Sequence, residues 1–144
     1  MYNKNNIKTT FSKNKIISAL YIVSTPIGNK DDITSRAVKV LKTSDIIVCE
    51  DTRVTKRLFK LLDINIKEKK WISYNDHNAY KKIDFILYEI KKSKVISLVS
   101  DAGTPLISDP GYKLIRKVRE ESMKVIPIPG PSSTISALSA SGLK

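Results

Sequence analysis

Residues 95–111 read VISLVSDAGTPLISDPG, and the abrupt change within this stretch decides how the chain folds. The first five residues are rich in Val, Ile and Leu, which is typical of a short buried strand. The next twelve residues contain two aspartates, two glycines and two prolines. Since a connection between elements needs only about two to five residues, a loop of this length and composition indicates a surface shaped around a ligand.

Four more apolar runs of this kind lie along the chain, at residues 19–24, 45–50, 70–74 and 124–129. Between them, apolar residues recur every three or four positions, which predicts helices near residues 33–41, 54–62 and 83–90 and a last helix at about 132–141. Alternating strands and helices predict an α/β fold with a mainly parallel sheet, right-handed crossovers and helices on both faces. With 144 residues and 41% apolar content, the chain is expected to form one domain with five strands and about five helices.

The composition excludes several classes of protein. No apolar run approaches the roughly 20 residues of a membrane-spanning helix, and the start of the chain lacks the apolar centre of a secretory signal. We therefore expect a disordered lead at residues 1–15, a domain at residues 16–144, and a cytoplasmic protein with no membrane partner.

The single cysteine, Cys49, excludes an intrachain disulfide, and with the single histidine, His77, it gives too few ligands for a zinc site. No bound metal is expected.

The formal net charge of +12 has two interpretations. Clustered cations bind the phosphates of nucleic acids. Lysine, however, outnumbers arginine by 21 to 5, and isoleucine and asparagine are abundant, as in any chain encoded by an adenine- and thymine-rich genome. Charge alone therefore leaves open whether the protein binds nucleic acid.

Glycine and proline are concentrated in three places. Four of the five glycines and five of the six prolines follow the first, fourth and fifth predicted strands. In a parallel sheet these loops emerge at the carboxyl edge, where open α/β folds bind ligands, so the pattern predicts a pocket there. Glycine and proline in any single loop can also serve a turn alone, and Ser132 or Ser133 can simply cap the last helix. The motifs GxGxxG and GxxxxGK[ST] are absent, which removes the main support for a dinucleotide or P-loop site.

Four motifs occur in order along the chain: LYIVSTPIGNKDDIT, CEDTR, LVSDAGTPLISDPGY and PIPGPSSTISALSASGL. Over residues 19–143 the sequence resembles the ribosomal RNA small subunit methyltransferase I group of the tetrapyrrole methylase superfamily. The resemblance implies a metal-free, S-adenosylmethionine-dependent enzyme that methylates the ribose 2'-hydroxyl of a cytidine in the decoding region of 16S ribosomal RNA. It also implies a homodimer, and a second α/β domain, not contained in this chain, that completes the donor cleft and without which we expect little activity.

The same resemblance implies which residues contact the methyl donor. The superfamily has a Gly-Asp-Pro motif after the fourth strand, and Gly103, Thr104 and Pro105 match it with Thr104 in place of the acid. Asp101 and Asp109 are then the nearest carboxylates, which either bond the donor or cap local turns. The implied donor contacts are Pro26, Ile27, Gly28, Asp101, Ala102, Gly103, Thr104, Ile107, Ser132 and Ser133.

A ribose hydroxyl is a weak nucleophile, so a base within reach would help by about 100-fold or more. Asp76 and His77, just past the third predicted strand, are the candidates; the alternatives are a surface role for His77 and a base from the second domain. The related group has Tyr-His-Glu-His-Asn where residues 74–78 read Tyr-Asn-Asp-His-Asn, so its first histidine is missing here. Arg53 either contacts RNA phosphates or merely belongs to a capped helix start.

Two other functions fit the same residues. A methylase of tetrapyrroles or other small molecules would share the fold and the donor site. A non-enzymatic nucleotide- or RNA-binding module would use the half-cleft without transferring a methyl group. Binding of S-adenosylmethionine distinguishes the module from the enzymes, and modification of ribosomal RNA distinguishes the two enzymes from each other.

Overall fold

A computed structural model describes residues 15–75, 79–106 and 111–143. Its strands are β1 (Ala19–Val23), β2 (Ile46–Cys49), β3 (Lys70–Ser73), β4 (Val95–Val99) and β5 (Val125–Ile128). Its helices are α1 (Ser35–Thr43), α2 (Thr52–Leu61), α3 (Ala79–Lys91), α4 (Tyr112–Glu120) and α5 (Ser133–Ala140), with a short 3-10 turn at Lys30–Asp32. Within these described ranges, every helix is too short or too polar to cross a bilayer.

The five strands form one sheet in the order β3-β2-β4-β1-β5, and all four neighbouring pairs are parallel. Every residue of the three inner strands is buried. Strands covered on both faces need continuous apolar runs rather than alternating ones, which explains why these segments are so rich in Ile and Val. The predicted α/β fold with a parallel sheet is confirmed.

The helices cover both faces of the sheet, as predicted. On one face, Val40 and Leu41 of α1 and Phe59 of α2 pack with strand residues such as Ile47. On the other face, α3 and α4 bury their apolar side chains, including Ile86 and Leu114, against the opposite side chains of the same strands. Helical spacing of apolar residues therefore predicted the packed side of α1 and α3 correctly. It was wrong for α2, where Thr55 and Phe59 are buried whereas Val54 and Leu61 are exposed.

The connections after β1 and β4 leave the sheet on opposite sides. β1 and β4 are hydrogen-bonded neighbours, yet β1 leads to α1 on one face and β4 leads to α4 on the other. Loops that diverge from adjacent parallel strands leave a crevice beyond the carboxyl edge of the sheet. The fold thus creates a site at the place where the glycine- and proline-rich loops lie.

Candidate functional site

Three loops meet at this crevice: loop 1 (residues 24–29) after β1, loop 2 (residues 100–106 as described) after β4, and loop 3 (residues 129–132) after β5. Loops 1 and 2 are joined by a two-residue antiparallel bridge, in which the Thr25 amide donates to the Gly103 carbonyl at 2.8 Å and the Gly103 amide donates to the Thr25 carbonyl at 3.1 Å. The Thr25 hydroxyl also donates to the Ser100 carbonyl at 3.2 Å. These bonds fix the two loops against each other. We call the three loops together the rim.

The hydroxyl of Thr104 connects all three loops of the rim. It donates to the carbonyl of Pro131 in loop 3 at 3.0 Å and lies 2.9 Å from the hydroxyl of Ser24 in loop 1. Because Thr104 has only one hydroxyl hydrogen, Ser24 must donate in the second bond. One side chain of loop 2 thus links the loops that follow β1, β4 and β5.

Two glycines permit this close approach. A Cβ atom added at Gly130 would lie 2.8 Å from the Cβ of Ser24, which is closer than any real contact allows. A Cβ at Gly103 would lie 3.3 Å from Cγ2 of Ile27, and the φ angle of +81° at Gly103 also disfavours any other residue. Larger residues at either position would push the loops apart.

Other predicted donor contacts face outward along this rim. Ile27, Gly28 and Ala102 are exposed, and Pro26 is half-buried. Ser132 occupies the N-cap position of α5, but its hydroxyl makes no capping hydrogen bond, and Ser133 is the first residue of the helix. The interpretation that Ser132 merely caps α5 therefore accounts for its position and not for its hydroxyl. The amides of the first turn of α5 have no partner within their own helix.

A second feature, which we call the polar cleft, adjoins the rim. It has a volume of about 420 Å³ and is lined by Glu50, Asp51, Thr52, Arg53, Ser73 and Asp101. Asp101 belongs to loop 2, and its carboxylate accepts a weak hydrogen bond of 3.4 Å from the Asp51 amide. This contact joins the ends of β2 and β4, so the polar cleft continues the crevice toward β3.

Asp51 and Arg53 form an ion pair at the mouth of the polar cleft. The Asp51 carboxylate caps α2 by accepting from the Arg53 amide at 2.8 Å, and it also accepts from Nη2 of Arg53 at 2.7 Å. The side-chain bond from Arg53, followed by the backbone bond, lowers the pKa of Asp51 from 3.8 to about 2. The Arg53 side chain is 89% exposed. The helix-cap interpretation of this stretch is therefore correct for Asp51, while Arg53 stays accessible to solvent.

Cys49 lies at the end of β2, beneath the polar cleft. It is fully buried, and burial is the main reason why the pKa of its thiol rises from 9.0 to about 11, with a further contribution from Asp101. A thiol with so high a pKa is a poor nucleophile at neutral pH. This environment fits a structural role for Cys49 in the strand.

Several predicted residues lie outside the described ranges. Both proposed bases, Asp76 and His77, fall in the gap at residues 76–78, and Ile107 and Asp109 fall in the gap at residues 107–110. Within residues 15–75, 79–106 and 111–143, no three His, Cys, Asp or Glu side chains are grouped as a metal site.

Sequence reasoning missed Ser24 and Thr25 as rim residues. Their only signal was the pair of small hydroxyl side chains between a buried strand and a proline.

Sequence comparison relates this architecture to known proteins. The family of tetrapyrrole (corrin/porphyrin) methylases has a sequence model that matches residues 19–144, which is most of the chain. The chain belongs to the tetrapyrrole methylase family. Among its relatives are proteins named ribosomal RNA small subunit methyltransferase I. Those of Rickettsia prowazekii and Escherichia coli O157:H7 are 54% and 50% identical over 126 and 124 residues, or 88% and 86% of this chain.

This tetrapyrrole methylase chain spans less than half of the relatives it matches, 44% of the Rickettsia protein and 42% of the Escherichia protein. Two solved structures share the fold of this chain. A cobalt precorrin-4 methyltransferase of cobalamin biosynthesis superposes with a TM-score of 0.68 at 19% identity, covering 88% of this chain and 52% of that one. A uroporphyrin-III-C-methyltransferase from Thermus thermophilus superposes with a TM-score of 0.62 at 18% identity, covering 88% and 53%.

Proposed function

We propose that this chain is the methyl-donor-binding part of a ribosomal RNA methyltransferase. The donor is S-adenosylmethionine, and the acceptor is the 2'-hydroxyl of a cytidine in the decoding region of 16S ribosomal RNA. The observation that carries the proposal is the rim, where Thr104 holds the loops after β1, β4 and β5 together at one edge of the sheet. The names of relatives about 50% identical to the chain support the RNA acceptor.

The residues of the rim fit the proposed donor. Gly103 and Gly130 let the loops of the rim pack closely against one another, since a Cβ at these positions would meet Ile27 and Ser24 of loop 1. The Ser132 hydroxyl and the amides at the start of α5 can bond a carboxylate or ribose hydroxyls, and a helix N-terminus favours a negative group. Ile27 and Ala102 offer apolar surface to an adenine ring. Asp101 supplies a negative charge close to a cationic ligand.

The donor supplies an electrophilic methyl group when it is bound. The chain's own contribution is to position the reactants, because catalysis by orientation can supply much of the rate enhancement of such a transfer. The polar cleft is the natural place for the acceptor ribose, since it adjoins the rim through Asp101. In this proposal Arg53 contacts a phosphate next to the target nucleotide, and Asp76 or His77 accepts the proton of the 2'-hydroxyl.

We also propose that the protein works in the cytoplasm, as a homodimer, on the small ribosomal subunit or its RNA. Donor binding and the RNA product are tested separately. Calorimetric titration of the chain with S-adenosylmethionine should give saturable binding that is lost in the variant Gly103→Val. The 2'-O-methyl groups of small-subunit RNA are mapped in cells with and without the gene. One cytidine should be methylated only in the cells that have the gene. Unchanged RNA in the deletion strain would contradict the proposed acceptor, even if the donor binds.

A further inference from the structure

A second depression in the surface lies away from the rim, and we call it the basic groove. It has a volume of about 930 Å³ and runs between α1 and β5, on the face of the sheet that α1 and α2 cover. Ile17 and Ile126 form part of its floor. Lys15, Arg36, Lys39 and Lys124 surround that floor, and all four side chains are exposed. The groove therefore combines an apolar base with a cationic border.

Among the residues that the structure describes, no ion pair neutralises the cations of the basic groove. None of the described residues that line it is acidic. Elsewhere in the described structure, cations such as Arg53, Lys91, Lys94 and Arg116 pair with carboxylates, but the four cations of the groove take part in none of these ion pairs. Cations without internal partners release counterions when they meet phosphates, which favours a polyanionic ligand.

The position of the basic groove connects it to the rim. α1 starts directly after loop 1 and the 3-10 turn, so Arg36, its second residue, lies near the carboxyl edge of the sheet. Lys124 immediately precedes β5 and marks the opposite, amino edge. The basic groove therefore runs from Lys124 at the amino edge of the sheet toward Arg36 at the carboxyl edge, on the side where loop 1 lies.

We propose that the basic groove binds a single-stranded segment of the RNA substrate that flanks the methylated nucleotide. This inference rests on the proposed function, because it takes ribosomal RNA as the substrate. The cations of the border bind successive phosphates, and the apolar floor contacts ribose and base faces, which a free phosphate ion would not need. The groove thus determines how the RNA lies across the domain while the target ribose enters the polar cleft.

The test compares two triple variants with equal loss of charge. The groove variant carries Arg36→Gln, Lys39→Gln and Lys124→Gln. The control variant carries Arg57→Gln, Lys60→Gln and Lys67→Gln, which removes one arginine and two lysines, all exposed, from α2 and the segment after it. Binding of each intact chain to a transcribed fragment of small-subunit RNA containing the decoding region is measured as a function of salt, and thermal unfolding verifies that both variants fold.

The groove variant should lose at least tenfold in RNA affinity at moderate salt. Its log-log salt dependence should become shallower by about 2, since each lost contact with single-stranded nucleic acid removes about 0.7. The control variant should change affinity less than threefold. Equal losses in both variants would mean that only net charge matters, and an unchanged groove variant would mean that RNA lies elsewhere; either result overturns the inference. Binding to polyglutamate is measured in the same way. If the groove variant keeps its affinity for RNA but loses its affinity for polyglutamate, the groove binds an acidic protein and the inference is wrong.

Methyl transfer separates this inference from the proposed function on which it rests. If the wild-type protein methylates the RNA and the groove variant shows a raised KM for RNA with an unchanged kcat, both proposals stand. If the wild type methylates the RNA and the groove variant has the same KM, only the basic groove is wrong. Methyl transfer is measured with the full-length protein, which includes the second domain that the resemblance implies. If the full-length wild type binds S-adenosylmethionine but transfers no methyl group to RNA, the proposed function fails, and the salt dependence of RNA binding still decides the role of the groove.

Discussion

The rim and the polar cleft lie side by side at the same edge of the sheet, but they are built differently. The rim is held by hydrogen bonds between residues far apart in sequence, such as Ser24 with Thr104 and Thr104 with Pro131. The main ion pair of the polar cleft joins Asp51 to Arg53, two positions away. Rim residues such as Ser24 and Thr25 are buried, whereas Glu50 and Arg53 of the cleft are exposed.

This difference indicates what each region can contribute. A network of bonds between loops fixes the shape of the rim before any ligand arrives, and preformed shape reduces the ordering cost of binding. Exposed charges on a helix start can rearrange when a ligand binds, and salt screens them. We therefore expect substitutions in the rim to reduce stability and donor affinity together, and substitutions in the polar cleft to change RNA binding with little effect on stability.

The strongest test of this contrast is Gly130→Ala. The added Cβ would lie 2.8 Å from the Cβ of Ser24, so loops 1 and 3 must separate. We expect destabilisation of about 1–3 kcal/mol, typical of overpacking, and at least a tenfold loss of affinity for S-adenosylmethionine. Thermal unfolding and calorimetric titration measure the two effects.

A second substitution serves as the control for Gly130→Ala. Ser24→Gly removes the opposing Cβ, so adding Gly130→Ala in that background should cost much less than it does in the wild type. Equal costs in the two backgrounds would show that the contact between Ser24 and Gly130 does not explain the loss.

Thr104→Val should have a smaller effect. It keeps the shape of the side chain and removes the hydroxyl that bonds Ser24 and the Pro131 carbonyl. We expect a loss of about 1 kcal/mol of stability, the usual contribution of a hydrogen bond, and a donor affinity several-fold weaker. Thr104→Ser keeps the hydroxyl and should behave nearly as the wild type. If both variants bind the donor equally well, the hydroxyl does not organise the rim.

The pKa of Asp51 tests whether the charge of the polar cleft is controlled by a contact between residues close in sequence, Asp51 and Arg53. Its pKa of about 2 lies below its ordinary value of 3.8, so the ionised form stabilises the fold above about pH 4, and that contribution is lost as the pH falls toward 2. Arg53→Gln should raise the pKa toward 3.8 and flatten this part of the pH dependence. Carboxyl chemical shifts followed by NMR titration report both values, and an unchanged pKa would assign the shift to the helix start alone.

The smallest expected effect concerns Arg53 and RNA. Because Arg53 is 89% exposed, water screens its ion pair with Asp51, so Arg53→Gln should lower the melting temperature by no more than about a few degrees. If Arg53 contacts one phosphate, the salt dependence of RNA binding should become shallower by about 0.7. Lys60→Gln, on the same helix, is the matched control. Identical salt dependence in wild type and both variants would remove Arg53 from the substrate site.

The sequence by itself determined the class of fold. Runs such as residues 46–49 and 95–99 are short, apolar and β-branched, and alternation with helical spacing leaves a parallel sheet as the arrangement that buries them on both sides. The placement of glycine and proline also predicted that the loops after β1, β4 and β5 share one edge, because parallel strands deliver their carboxyl ends to the same side.

Only the tertiary structure decided how those loops are joined and where the unpaired charge lies. The bonds of Thr104 and the approach of Gly130 to Ser24 connect residues about 80 and 106 positions apart, and no local pattern encodes such pairs. The same holds for the basic groove, where Lys15, Arg36 and Lys124 come together from three segments. Local propensity depends on neighbours along the chain, whereas a binding surface depends on neighbours in space, and those exist only once the sheet has formed.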